Sequence, residues 1–168
     1  YNIAIGYNAL TSEDTGSRNT AVGYEALEAV NYDGDGLNTG IGFMAGNAVT
    51  TGTDNTLVGR QAGVAVNTGS SNTYIGPGTA GTCTTGSNNT VVGGFNGNQD
   101  GLDIRTESDS VVLSDGGGNV RYAYADWDLN NYPYHKIKTG TAGQISMVIE
   151  HTTSSASIYG LQIGFTAV

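Results

Sequence analysis

Aromatic side chains with polar neighbours are concentrated between residues 122 and 134, where a contact with another molecule could form. The stretch holds four tyrosines and the only tryptophan, and basic residues lie on both sides of it. Amphipathic rings of this kind bind glycans and proteins, but they also fill the cores of small β domains or the contacts between chains. The candidate receptor-binding residues are Tyr124, Asp126, Trp127, Asp128, Tyr132 and Tyr134, with a packing role as the alternative.

Carboxylates near these rings could instead hydrolyse a glycosidic bond, because that reaction uses a pair of Asp or Glu residues. Asp126, Asp128 and Glu150 are the candidates. Acidic residues in loops are more often simply solvated, so the chain is not expected to be an enzyme and no catalytic residue is assigned.

Two other patterns were weighed as metal sites. The Asp-Gly-Asp-Gly run at residues 33–36 begins like a calcium loop but lacks the later carboxylate, which favours an exposed loop. His135 and His151 have no partner at ligand spacing. Neither a metal nor a cofactor is predicted.

Composition favours turns and strands over helices. Of 168 residues, 27 are glycine and only 12% are charged, and the net charge of −9 repels nucleic acid. The sequence contains no run of 18 apolar residues, so insertion of a helix into a membrane is not expected. The start at Tyr1, without Met or a signal peptide, indicates a piece of a longer protein.

The pattern Asn-Thr-x-(Ile/Val)-Gly recurs along the first part of the chain. Its leading asparagines stand at 2, 19, 38, 55, 72 and 89, so the copies are 17 residues apart except for one spacing of 19. The first copy carries Ile3 in place of Thr, and the two additional residues are expected within residues 32–36. A fixed period of this kind is the signature of a solenoid.

Each position of the repeat has an expected role. The β-branched residue before the glycine is predicted to point into the core, and the glycine to need a positive φ or a close backbone approach. A second apolar column follows at Val30, Val49, Val66 and Cys83, where the lone cysteine is expected to be a buried, reduced thiol. The predicted core positions of the repeat are Ile5, Val22, Ile41, Val58, Ile75 and Val92.

One repeat therefore predicts a single solenoid coil of two short strands and two turns. Coils stacked at about 4.8 Å make a rod on the order of 30 Å long. A coil of this length encloses only a thin line of apolar side chains, which predicts that the aligned faces of several chains pack together.

The run Asn-Thr-Ala-Val-Gly-Tyr-Glu-Ala-Leu at residues 19–27 resembles the YadA-like head repeat of trimeric autotransporter adhesins, and more closely its longer-period version in bacteriophage tail fibres. The resemblance covers residues 1–97. It implies a left-handed parallel β-roll in which three chains lie side by side, as the head or stalk of an adhesin. Such autotransporters continue into a heptad coiled coil and a membrane anchor, and neither pattern is visible, which favours a viral fibre.

The regular period ends after residue 97. Residues 109–114 are interpreted as a decayed copy, with Leu113 at the glycine position, that caps the roll. Alternating segments at 120–124, 144–150 and 157–163 then predict a small β-rich tip. The predicted organisation is all-β, with a roll at 1–97, a capping and transition segment at 98–118, and the tip at 119–168.

Three hypotheses follow for the function. A receptor-binding tail fibre of a virus is favoured, with two further copies of the chain, upstream fibre or virion proteins, and a host cell-surface glycan or protein as partners. A bacterial surface adhesin or extracellular filament subunit is second. A polysaccharide-degrading tailspike is third. All three place the chain outside the cell.

Overall fold

The computed structural model describes residues 1–125 and 134–137, and in these residues the chain is a parallel β-solenoid without helices. None of the described residues therefore forms a helix that could cross a membrane. The six rungs of the repeat are β1 (Ile3–Ile5), β2 (Thr20–Val22), β3 (Thr39–Ile41), β4 (Thr56–Val58), β5 (Thr73–Ile75) and β6 (Thr90–Val92). The later strands are β7 (Asn98–Gln99), β8 (Leu102–Asp103), β9 (Val111–Ser114), β10 (Val120–Ala125) and β11 (Tyr134–Ile137).

The rungs pair in parallel with equivalent residues opposite each other. Thr39 lies opposite Thr56, and Ile41 opposite Val58, with the same register at every step from β1 to β6. The predicted coil of about 17 residues is confirmed. Each of the first five coils contains one three-residue strand rather than the two that were expected, and the rest of the coil is a series of turns.

The predicted direction of the strand side chains is wrong. Ile41 and Ile75 are 40% and 41% exposed, whereas Leu57 and Tyr74, the middle residues of their strands, are fully buried. Side chains alternate across a strand, so a strand of three residues can turn only its middle residue inward when both ends face out. The residues predicted to form the core, Ile5, Val22, Ile41, Val58, Ile75 and Val92, therefore lie on the outer face, where each is half-buried or exposed.

The glycine after each strand forms the corner of the coil. Gly42 and Gly59 both have φ of +134°, and all six glycines of the pattern have positive φ, as predicted. A Cβ on Gly59 would lie 2.4 Å from the carbonyl oxygen of Gly76 in the next coil. This corner therefore requires glycine both for its backbone conformation and for the contact between coils.

Large and small residues exchange places along the core. In the second coil Ala21 on the strand faces inward beside Leu27 on the opposite turn, whereas in the fourth coil Leu57 is on the strand and Gly63 on the turn. A Cβ on Gly63 would lie 2.8 Å from a methyl group of Leu57. In these two coils a single leucine fills the interior, from the strand side in one and from the turn side in the other, as dense packing requires.

The second apolar column is as predicted. Val30, Val49, Val66 and Cys83 are buried one above another, and Cys83 is a free thiol that occupies a valine position. The two additional residues of the longer spacing also lie where they were expected. Asn31 N–H donates to the carbonyl of Thr50, 19 residues further on, so the additional residues come after Asn31. Asp54 N–H donates to the carbonyl of Gly36 at the spacing of the regular coils, so the additional residues come before Gly36.

The decayed copy is a seventh rung, in a register one residue away from the predicted one. β9 pairs in parallel with β6, and Leu113 lies opposite Val92, so Ser114 and not Leu113 occupies the glycine position. β10 then pairs with β9 in the antiparallel direction, and β11 with β10. Residues 120–124, predicted as a strand, belong to β10. The predicted strands at 144–150 and 157–163 lie outside the described residues.

A ladder of buried asparagines joins the coils. Asn38, Asn55, Asn72 and Asn89 are at most 1% exposed, and the Oδ1 atom of each accepts a bond from the backbone N–H of the equivalent residue in the next coil. These N···O distances are 2.9–3.1 Å. The Nδ2 atoms of Asn55 and Asn72 donate across their own coils to the carbonyls of Gly69 and Gly86 at 2.9 and 3.0 Å. Each amide is thereby satisfied without water.

Replacing Asn55 with Ala should destabilise the fold by about 3 kcal/mol, because the buried Asn72 N–H and Gly69 carbonyl lose their partners together. Urea unfolding at one fixed protein concentration measures the change. The control is Asn31→Ala, a removal of the same side chain at an exposed position, which should change stability by less than about 0.5 kcal/mol. Equal effects at the two positions would contradict a structural role for the ladder.

Candidate functional site

The strand pairing brings together two of the six predicted receptor residues. Tyr124 lies in β10 and Tyr134 in β11, where the backbone of Tyr124 is opposite His135 and that of Tyr134 opposite Ala125. Asp126, Trp127, Asp128 and Tyr132 lie outside the described residues. A contact surface built from these residues stays a prediction.

The loop that was weighed as a calcium site has its carboxylates bound to donors of the preceding coil. Asp33 accepts from the hydroxyl of Thr15, and Asp35 accepts from Ser17 Oγ at 2.7 Å and forms an ion pair with Arg18. Among residues 1–125 and 134–137, no cluster of three or more His, Cys, Asp or Glu side chains could hold a metal ion. The acidic loop thus fastens two neighbouring coils to each other.

On rungs β1 to β6 and β9, the outward strand residues form a surface without charge. On rungs β2 to β6 the first residue of each strand is Thr, and the third is Val or Ile. Rungs β1 and β9 add Ile3, Ile5, Val111 and Leu113. Apolar and threonine side chains thus lie in two outward columns along the stack of coils. The sequence pattern contained this surface, but the β-branched column was interpreted as core.

A stack of aromatic rings borders this face. Tyr7, Tyr24 and Phe43 follow the corner glycine in three successive coils, with ring centroids 5.2 and 5.3 Å apart and the planes within 15° of parallel. All three side chains are exposed. Their position after the glycine repeats in the sequence, so this signal was available and was missed.

A polar groove of about 430 Å³ opens beside the longest coil, between β6 and β9. Its lining residues are Thr82, Thr84, Asp103, Arg105, Thr106 and Glu107. Asp103 accepts two bonds from the Arg105 side chain, at 3.0 and 2.7 Å, and one from the Arg105 backbone N–H at 3.1 Å. The bonds from the Arg105 side chain lower the pKa of the Asp103 carboxyl, and the pKa of Arg105 is raised in return. Both groups therefore stay ionised. No sequence pattern pointed to this groove.

Comparison of the chain with protein-family models, curated proteins and solved structures finds no match. The resemblance to the YadA-like repeat thus rests on the residues that carry it. The geometry of the described surfaces is what bears on function.

Two groups with potential reactivity lie inside the solenoid, next to each other. Burial raises the pKa of the Cys83 thiol to about 12, and burial also raises the pKa of Tyr74. The Cys83 thiol donates to the carbonyl of Ile104 at 3.6 Å, and Asn89 Nδ2 lies 3.5 Å from the Tyr74 hydroxyl. Because thiolate is the reactive form of cysteine, this environment holds Cys83 in its inert form.

Cys83 should therefore fail to react with dithiobisnitrobenzoate at pH 8 in the folded protein and should react fully in concentrated guanidinium chloride. The reason is that the folded environment both covers the thiol and keeps it protonated. Absorbance of the released thionitrobenzoate measures the reaction, with Cys83→Val as the blank. Rapid stoichiometric reaction of the folded protein would contradict the described packing.

Proposed function

We propose that this chain is a structural and adhesive segment of an extracellular fibre, best matched to the distal part of a viral tail fibre that binds a host cell surface. Three copies associate through their outer strand faces as left-handed β-rolls, and a β-rich C-terminal tip carries the receptor contact. The uncharged outer face of the sheet is the observation that carries this proposal.

The charge distribution supports self-association through that face. The chain has a net charge of −9, so two copies repel each other wherever their acidic surfaces meet. Neither outward column of the seven rungs contains a charged residue, and both columns consist of Thr, Val, Ile and Leu. Copies that meet along these columns bury apolar side chains without burying a charge.

The thin interior supports the same conclusion. Where a strand fills the interior it supplies one side chain per coil, such as Leu57 or Val91, and β3 supplies only Gly40. The β-branched side chains that would double this core, among them Ile41 and Ile75, remain exposed on the single chain. Association adds the apolar burial that a narrow solenoid lacks, at about 25 cal/mol per Å².

Ile75→Asp should prevent association without placing a charge inside the coil. Ile75 lies outward on β5, so the carboxylate would enter the contact between copies and not the interior of the coil. Sedimentation velocity at micromolar concentration measures the assembly, and circular dichroism checks the strand content. The parent is expected to sediment as a trimer.

Thr68→Asp is the matched control, because it adds the same charge at an exposed turn away from the strands. This variant should assemble like the parent. A folded parent that sediments as a monomer would contradict the proposal. An Ile75→Asp variant that assembles as well as the parent would also contradict it.

The receptor contact is assigned to the aromatic residues that follow β9. The roll presents repeated Thr, Ser, Gly and Asn turns, which suit spacing, whereas the only tryptophan and both histidines come after it. Three copies in one fibre would multiply a weak single contact. Asp126 and Asp128 are included as partners for glycan hydroxyls.

Trp127→Ala and Tyr134→Ala should each reduce adsorption of the purified protein to a bacterial strain that the parent binds. Loss of a central aromatic contact costs about 2 kcal/mol or more, which is a loss of more than tenfold in affinity. Fluorescently labelled protein and flow cytometry give the measurement, with assembly checked by sedimentation. Full binding by both variants, with assembly intact, would place the contact elsewhere.

A further inference from the structure

The coil between β6 and β9 is the widest part of the solenoid. Asn89 and its equivalent Ser110 are 21 residues apart, against 17 in the regular coils. The additional residues form a small antiparallel pair, β7 with β8, in which Asn98 lies opposite Asp103. This protrusion forms one wall of the polar groove, since Asp103 at the end of β8 is among the lining residues.

The polar groups of the groove are fixed in place and keep unused bonding capacity. Arg105 donates to Asp103 through its Nε and one Nη atom, so three of its five N–H groups are not used by that carboxylate. Thr82 and Thr84 donate to the carbonyls of Asn96 and Arg105 at 2.8 and 3.3 Å, and their oxygen lone pairs remain as acceptors. Glu107 receives a bond from Thr106 on one of its carboxylate oxygens.

The charge of the groove determines which class of ligand can bind there. Asp103 and Glu107 outnumber Arg105, so the groove carries a net negative charge in a chain that is already acidic, which disfavours anions. A metal cation is disfavoured as well, because the carboxylate of Asp103 is already neutralised by the guanidinium 2.7 Å away. A neutral ligand with many hydroxyl groups incurs neither electrostatic penalty. Its hydroxyls can accept hydrogen bonds from Arg105 and donate hydrogen bonds to Glu107.

We propose that this groove is a binding site for neutral saccharides, with Arg105 and Glu107 as the principal contacts and Thr82 and Thr84 as secondary ones. Its volume of about 430 Å³ falls in the range of small-molecule sites, about 300–1,000 Å³. Every lining residue carries a polar group, and the methyl and methylene groups of the same side chains make up the rest of the wall, so hydrogen bonds fix the orientation of a sugar and its apolar ring face adds contact. The site shares no residue with the aromatic set of the tip, and it is present on every copy of the chain.

The test is saturation-transfer difference NMR of the whole chain with mannotriose and chitotriose, and with trigalacturonic acid as the anionic comparison. The two neutral sugars should give a saturable signal, and the anionic sugar should give much less. Arg105→Ala should weaken neutral sugar binding by more than about tenfold, because the guanidinium supplies charged hydrogen bonds. Arg60→Ala removes another exposed arginine, whose guanidinium donates to the neighbouring Gln61, and should not change binding.

A second pair of variants tests the hydroxyls. Thr84→Val should weaken binding, whereas Thr50→Val should not, although the Thr50 hydroxyl occupies the same column of the solenoid and likewise bonds to the next coil. Circular dichroism and sedimentation check the fold of each variant. No signal from either neutral sugar with the parent, equal binding by Arg105→Ala, or stronger binding of the anionic sugar would each overturn the proposal. None of these results bears on adsorption through the tip, which the Trp127 and Tyr134 variants measure.

Discussion

The buried asparagine ladder is the interaction on which the solenoid depends. A primary amide in a dry interior must place both its N–H groups and its oxygen on partners, or the coil loses several kcal/mol. The Oδ1 atom of Asn55 has its partner only when the next coil places the Asn72 N–H at 3.0 Å. Its Nδ2 atom has its partner only when the same coil places the Gly69 carbonyl at 2.9 Å. The ladder therefore sets the stacking of the coils. Where two residues are added after Asn31, Asn19 no longer reaches across its coil, and its Nδ2 bonds Ser17 at 3.3 Å instead.

The hydrophobic interior is less uniform than the ladder, because only the total volume of each coil is constrained. The interior of the second coil is filled from the turn side, by Leu27 opposite Ala21. The equivalent space of the fourth coil is filled from the strand side, by Leu57 opposite Gly63. Between these coils lies one with Gly40 and Gly46, where a Cβ on Gly46 would come within 2.7 Å of both Leu27 and Leu57. The two leucines from the neighbouring coils thus fill the middle coil. Exchanging one residue of such a pair alone creates a cavity or a clash, whereas exchanging both preserves the packing.

The sequence predicted the solenoid, its period, the corner glycines and the valine column with Cys83, because each of these recurs at a fixed spacing. It misassigned the strand face for a physical reason. Val58 and its equivalents look like core because they are uniformly β-branched, while the true inward residues range from Gly40 to Tyr74. A column with one uniform residue type shows that its positions share one environment on every rung, but it does not show that this environment is buried. A column on the outer face is equally uniform when it meets the same neighbour on every rung. The polar groove could not be predicted, since it depends on where a single irregular coil places Arg105 beside Thr82.

The reversal of chain direction at β10 limits how these molecules can join lengthwise. Stacked parallel strands with in-register side chains are the arrangement from which amyloid grows, since each added strand recreates the surface that received it. Here the strand that follows β9 runs the opposite way, and Ala123 of β10 occupies the position opposite Val112 that another parallel rung would need. The β1 edge of another molecule therefore finds no matching edge on β9. The stack of parallel rungs is therefore closed at β9 by a strand of the same chain, while the outward columns of the rungs stay open to lateral contacts.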